Sequence, residues 1–284
     1  MKQGRISLVL IGMALMSGCA GDKGSAFTAN NGPIAYTRFV NAVSDSGGQD
    51  WRFVDQVDGS PTTFGLTFRG MFPATSYQLT AAGSRHLRIF QSSTDIVQTQ
   101  KVYFDTTFNF AANTHYTIIA AGTLRDRTAR LYILTDDYSD PGAQVSLRVY
   151  NAGAGTVDVY ASASGGTSTL PTALTTSLAN FSGTKYTSMA VGPVSLRGFA
   201  SGSTTFPAMV DVVAPAGLPA DRANNLTAVG GTTQAGSALT AFIFPRSVAG
   251  SLAETRTPSS GPCPTGCATP GIVYIVDRYP PSGF

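Results

Sequence analysis

The feature that most constrains this chain is a repeat of domain length. Residues 76–90 read SYQLTAAGSRHLRIF and residues 185–199 read KYTSMAVGPVSLRGF. Tyr77 meets Tyr186, Gly83 meets Gly192, Leu87 and Arg88 meet Leu196 and Arg197, and Phe90 meets Phe199, all at one offset. Upstream, Arg38-Phe39-Val40-Asn41-Ala42 meets Arg148-Val149-Tyr150-Asn151-Ala152, with the offset one residue longer. Downstream, residues 115–123 align with 224–232, and 131–134 fall in the same register near 240–243. Blocks that recur in one order at the spacing of a domain predict a duplication, and so two copies of one fold.

The residues between these blocks favour strands. Charged side chains are 12% of the chain, against about 25% in an ordinary globular protein. Exposed, charge-laced helices are therefore not expected, and no long stretch carries a capped helical period. Short apolar runs bounded by Gly, Pro, Asn, Asp or Ser recur instead, at 34–42, 51–57, 62–72, 77–81, 85–90, 101–108, 116–121 and 131–135, then at 145–150 and 157–160. Residues 145–150 alternate apolar Val145, Leu147 and Val149 with Ser146, Arg148 and Tyr150. This alternation fits an antiparallel sheet with one face in a core, and the close spacing fits a sandwich. The fold class expected is all-β, with two tandem immunoglobulin-like antiparallel β-sandwich domains. Asp140-Pro141-Gly142 marks the boundary, giving domains at 34–141 and 142–248. Residues 249–284 form a tail in which 272–276 (IVYIV) is so apolar that it should pair with a sheet edge.

The N-terminus reads as an export signal. Lys2 and Arg5 precede an apolar run at 6–16 that is too short to span a bilayer. It ends in Met16-Ser17-Gly18-Cys19, which resembles the bacterial lipobox, where small residues precede a Cys that is lipidated and becomes the new N-terminus. The alternative is an ordinary cleaved signal with an incidental Cys. On the lipobox reading, residues 1–18 are removed, Cys19 carries the lipid, and the polar stretch to residue 33 is a tether. The expected address is the cell envelope, at the outer membrane and facing the periplasm or the cell surface, with the N-terminal lipid as the membrane contact. The net charge of +3 includes Lys2 and Arg5. Without them the chain is close to neutral, which gives no electrostatic basis for binding nucleic acid or an anionic membrane.

Few residues invite a chemical role. Cys263 and Cys267 are the remaining cysteines, and an oxidising compartment would pair them as a disulfide across Pro264-Thr265-Gly266. Zinc would need four ligands and no His lies nearby, and the spacing is not that of a Cys-x-x-Cys redox pair. His86 and His115 meet Ser195 and Asn224 in the repeat, so both read as solvent-facing polar residues rather than a duplicated base. Ser182 to Lys185 fits Ser-x-x-Lys but leads into a strand and lacks its companion motifs. Asp45, Asp50, Asp55 and Asp58 crowd around Trp51, where a calcium loop is conceivable although the spacing matches none. Trp51 is a core residue or, less often in a sandwich, an exposed platform for a sugar ring. No cofactor, metal or catalytic residue is assigned.

The repeated Arg-x-x-Asn-Ala openings, Val157-Asp158-Val159-Tyr160, the Tyr77 to Gly83 and Tyr186 to Gly192 hairpins and the strand at 116–123 together resemble the bacterial domain-of-unknown-function 4397 family. That resemblance implies an immunoglobulin-like sandwich, often in tandem and often behind a lipoprotein signal. It brings no catalytic residues. At 50–55 the first copy departs from the family's Val-Asp-Val-Tyr. The function expected is that of a lipid-anchored envelope protein with a non-catalytic binding or structural role toward a protein or glycan. The alternative is a carbohydrate-binding or glycan-processing accessory.

Overall fold

The computed structural model describes residues 32–55, 62–163, 170, 173–205, 208–255 and 267–281. Cys19, Asp58 and Cys263 lie outside the described residues, as do the signal segment and nearly all of the tether.

From Ile34 onward the chain forms one compact unit. It opens with β1 (Ile34–Val43) and crosses to a second sheet as β2 (Gln49–Phe53) and β3 (Thr62–Leu66). The short β4 (Met71–Phe72) and β5 (Gln78–Ala81) return to pair with β1. Next, β6 (Gly83–Gln91) and β7 (Val102–Phe110) extend the second sheet, and β8 (His115–Gly122) and β9 (Arg130–Thr135) complete the first. One sheet is ordered β4–β1–β8–β9 with β5 also on β1; the other is β3–β2–β6–β7.

The second half follows the same path through β10 (Val145–Asn151), β11 (Val157–Ala163), β12 (Ala173–Leu178), β13 (Ser182–Gly183) and β14 (Thr187–Met189). It continues through β15 (Val194–Ala200), β16 (Val210–Val213), β17 (Ala238–Phe244) and β18 (Gly271–Arg278). Its sheets are β13–β10–β17–β18, with β14 on β10, and β12–β11–β15–β16. Both orders reproduce the first half with β10 in the place of β1. The only described helices are single turns, α1 (Ile96–Thr99) and α2 (Leu252–Thr255). The fold is therefore all-β and sandwich-like, as the strand pattern predicts.

Three details differ from the sequence reading. Each half holds one parallel pair, β1 with β8 and β10 with β17, inside otherwise antiparallel sheets. The run at 62–72 is two strands on two sheets, broken by a turn in which Arg69 has φ +62. The downstream repeat alignment is out of register. β8 corresponds to β17 and β9 to β18, because residues 214–237 fill a connection that in the first half is only Ala111 to Thr114. The aligned segment 224–232 lies inside that insertion, held by isolated bridges rather than a strand. The apolar run at 272–276 does pair with a sheet edge: β18 lies antiparallel on β17, Thr240 opposite Ile275.

Burial explains the layering. In β1, Ala35, Phe39 and Val43 pack with Trp51, Phe53, Leu87 and Ile118 inside the first sandwich. In β10, Leu147 and Val149 pack with Val157, Leu196 and Leu239 inside the second. A one-sided sheet would leave the alternate residues in water. Here Val40, Ala42, Ile119 and Ala121 meet Tyr150, Ala152, Phe242 and Phe244 in a third core shared by the two halves. The sheets of β1 and β10 are thus buried on both faces, and the layers run outer, inner, inner, outer.

Candidate functional site

The Arg-x-x-Asn motif sets the geometry of the join. In a strand, residues three apart point to opposite faces. Asn41 turns into its own sandwich, where Nδ2 donates to the Leu66 carbonyl (2.8 Å) and Oδ1 accepts from the Val43 N–H (3.0 Å). Asn151 does the same in the second half, donating to the Leu178 carbonyl (3.0 Å) and accepting from the Gly153 N–H (3.1 Å). Each Asn ties the end of its inner strand to the opposite sheet. Arg38 and Arg148 face the other way, into the shared layer.

There they meet Asp136, just beyond β9, and Asp277, near the end of β18. Arg38 Nε donates to Thr117 Oγ1 (2.7 Å), and its guanidinium reaches both Asp136 Oδ2 (3.4 Å) and, more closely, Asp277 of the other half. Arg148 Nε donates to Thr240 Oγ1 (3.0 Å), while its guanidinium pairs with Asp136. Thr117 and Thr240 donate to Asp136 and Asp277, each at 2.6 Å. Tyr77 and Tyr186 hydroxyls donate to the same two carboxylates at 3.0 and 2.8 Å. Their rings lie under the Arg38 and Arg148 guanidinia at 4.5 and 4.6 Å. Every group on one side has its counterpart on the other, and two ion pairs cross the join.

The cluster is enclosed, with the Arg38, Asp136 and Asp277 side chains fully buried. Burial opposes the Arg38 charge, but the carboxylates of Asp277 and Asp136 outweigh it and hold the guanidinium above the ordinary arginine range. Burial, then the same carboxylates, drives the Tyr77 hydroxyl far above the ordinary tyrosine value, against the opposing pull of Arg38. Tyr186 is raised in the same way. Neither tyrosine can serve as a base or a nucleophile near neutral pH. Two cations and two anions balance and hydrogen-bond one another, with Arg38 Nη1 left without an acceptor. An arrangement of this kind orients and holds; breaking it would strand a buried charge.

Residues 35–160 match the family model described as Domain of unknown function (DUF4397). The match spans the first sandwich and runs through β10 into β11 of the second. No curated protein matches the chain.

The other residues singled out by sequence fall apart as a site. Trp51 is fully buried against Phe39 in the first core, which removes it as an exposed sugar platform. Asp45 accepts from the Leu124 and Arg125 N–H groups, Asp50 from Gly65 N–H, and Asp55 from His86 N–H. Each carboxylate thus turns to its own loop, and among the described residues no three His, Cys, Asp or Glu side chains gather to hold a metal. Ser182 Oγ donates to the Ala179 carbonyl (2.7 Å), a turn contact. His86 pairs with Asp105, which also accepts from Arg88 Nε (2.9 Å). Ser195 and Arg197 repeat this with Asp211 at 2.6 and 2.9 Å. His115 is not a plain solvent-facing residue. It stacks on Tyr36 (4.4 Å) and meets Tyr77 and Tyr138 at 4.7 and 5.5 Å. Cys267 is buried in the shared core, while Cys263 falls outside the described residues.

Two features escaped the sequence reading. Arg69 is a nearly buried cation whose guanidinium donates to the Pro245 carbonyl (2.6 Å) and to that of Thr269. It closes the base of the excursion between β17 and β18 against the first half, and burial lowers its pKa to about 10. The turn from β3 to β4 also forms an open groove of about 470 Å³, lined by Thr63, Phe64, Leu66, Met71 and Phe72 among others. Phe64 is 76% exposed there, and none of the lining residues ionises. The groove offers apolar contact and no acid–base chemistry.

Proposed function

We propose that this is a lipid-anchored envelope protein with a non-catalytic binding or structural role, made of two tandem copies of the domain whose family model matches residues 35–160. The observation that carries the reading is the crossed cluster at the join. The Arg, Asp and Tyr side chains most reminiscent of a reaction centre are buried and engaged with one another, so their chemistry goes into holding two sandwiches as one body. The identical strand order of the halves supports the tandem reading. The lipobox-like Met16 to Cys19 supports a lipid on Cys19 and an outer-membrane or surface address. In that oxidising setting Cys263 and Cys267 form a disulfide that shapes the excursion before β18.

Fractionation of a bacterial host expressing the full chain tests this. The wild type is expected in the membrane fraction and Cys19→Ser in the soluble fraction. Equal membrane retention of the two removes the anchor. Intact mass of the purified protein, with and without reductant and alkylation, tests the disulfide: two alkylations gained only after reduction support it.

A further inference from the structure

Besides the excursion between β17 and β18, the halves depart from symmetry at residues 214–237, which replace the short turn between β7 and β8. The insertion is a built hairpin. Thr232 and Thr233 N–H groups donate to the Pro215 and Ala216 carbonyls (2.9 Å each), Leu218 and Val229 exchange N–H bonds (3.0 and 2.9 Å), and Asp221 and Leu226 exchange a further pair (2.9 Å each). Gly231 lies so close to Ala216 and Gly217 that any Cβ there would collide with their backbone. The hairpin nonetheless turns apolar side chains outward: Leu218 is 64% exposed, Leu226 58% and Val229 45%. At its tip the Asp221 carboxylate accepts from the Ala223 and Asn224 N–H groups and from Asn224 Nδ2, so its hydrogen bonds are made within the hairpin.

The position of the hairpin points to an occupant. β1 and β10 start at the same end of the molecule. Tyr36 at the start of β1 stacks on His115, and Tyr138 contacts both His115 and Tyr186. Asp140 then accepts from Arg278, which donates to the Gly236 carbonyl at the hairpin's root, and Gly236 N–H donates to Gln144 just before β10. Leu79, 60% exposed, pairs with Tyr36 at this end on the other half. Here, too, the chain leaves toward Cys19. Residues 20–33 reach at most about 50 Å even fully extended. A lipid on Cys19 would keep this end close to the bilayer surface.

We propose that the hairpin at 214–237, with Leu79 at the same end of the molecule, is a membrane-contacting edge that rests its leucines and valine in the lipid headgroup layer. This rests on the anchored reading above. Binding at a bilayer interface grows with the apolar area buried in the headgroup layer, and Leu218, Leu226 and Val229 offer such area on one hydrogen-bonded hairpin. The lipid supplies proximity, and the hairpin fixes which face of the double sandwich looks away from the membrane.

Hydrogen exchange on the lipidated full chain in phosphatidylethanolamine/phosphatidylglycerol vesicles tests it, with the Cys19→Ser chain free in solution as reference. Amides of 216–230 are expected to slow by about ten-fold or more, with those of β7 unchanged. No slowing overturns the proposal and leaves the anchor intact. Slowing that arises on concentrating the Cys19→Ser chain without vesicles assigns the hairpin to a second copy and also overturns it. Fractionation separates the two ideas. If Cys19→Ser remains with membranes, the anchor reading fails. The hairpin then stands if adding Leu218→Asp and Leu226→Asp releases that chain, and falls if it does not.

Discussion

Removing Arg38 should unbalance the join in a way whose size the structure sets. Arg38→Met keeps an apolar stem of similar length and deletes one of the two buried cations. Asp277 then retains only the Thr240 and Tyr186 hydroxyls, while Asp136 keeps Arg148, Thr117 and Tyr77. Stranding a fully buried carboxylate costs about 3–5 kcal/mol. With a urea dependence of about 2–3 kcal/mol per molar, the unfolding midpoint should fall by about 1–2.5 M. Asp277→Leu alone should cost a similar amount by leaving two buried cations, Arg38 and Arg148, on the single carboxylate of Asp136. The double variant Arg38→Met/Asp277→Leu restores neutrality around Arg148 and Asp136, so the two losses should fail to add by about 2 kcal/mol or more. Asp55→Ala, which removes the half-exposed partner of Arg85, is the control and should cost less than about 1 kcal/mol. Urea titrations followed by Trp51 fluorescence and far-UV circular dichroism measure all four. Additive losses, or a drop below about 1 kcal/mol for Arg38→Met, would refute the crossed pairing.

Other outcomes follow from single contacts. Burial, with Arg38 adding to it and Asp136 and Asp277 opposing, lowers His115 beneath its ordinary value of 6.5; its other close neighbours are Tyr36, Tyr77 and Tyr138. A lowered folded value means the unfolded chain binds the proton first, so stability present above about pH 6.5 is lost as pH falls through that value. His115→Phe, which keeps the stack on Tyr36, should flatten the midpoint between pH 7 and 5; an unchanged slope contradicts this. Asp105, Asp158 and Asp221 are held below 3.8, so their contribution is lost only in more acid solution. Asn41→Ala leaves the Leu66 carbonyl and the Val43 N–H unpaired in the core and should cost about 2–4 kcal/mol, with Asn151→Ala similar; chemical denaturation of each measures it. Gly122→Ala places a methyl 2.8 Å from the Thr128 carbonyl at a φ of +108, so its melting temperature should drop while Gly83→Ala, with open space around its Cβ, loses less.

Much of this architecture was legible in the residues. Arg38, Asn41, Arg148 and Asn151 stood out as a motif because each performs one task in each half. Strand alternation at 145–150 told which residues of β10 face its own core. It could not tell that the opposite face is a second core, because a sheet buried on both sides and a sheet facing a partner protein read alike. Asp136, just beyond β9, and Asp277, near the end of β18, escaped notice because the downstream repeat misaligned those strands, the insertion at 214–237 having displaced β17 and β18 from register. Arg69 had no signal at all: its acceptors are main-chain carbonyls far along the chain, which carry no sequence identity.

The most direct test of the account is whether the two sandwiches unfold as one. Trp51, the only tryptophan, sits in the core of the first half, whereas far-UV circular dichroism reports strands in both. The shared core and the crossed ion pairs predict a single urea transition at which fluorescence and dichroism coincide. A fluorescence transition separated from a second dichroism step would mean two independent domains on a string, and would contradict the join on which the account rests.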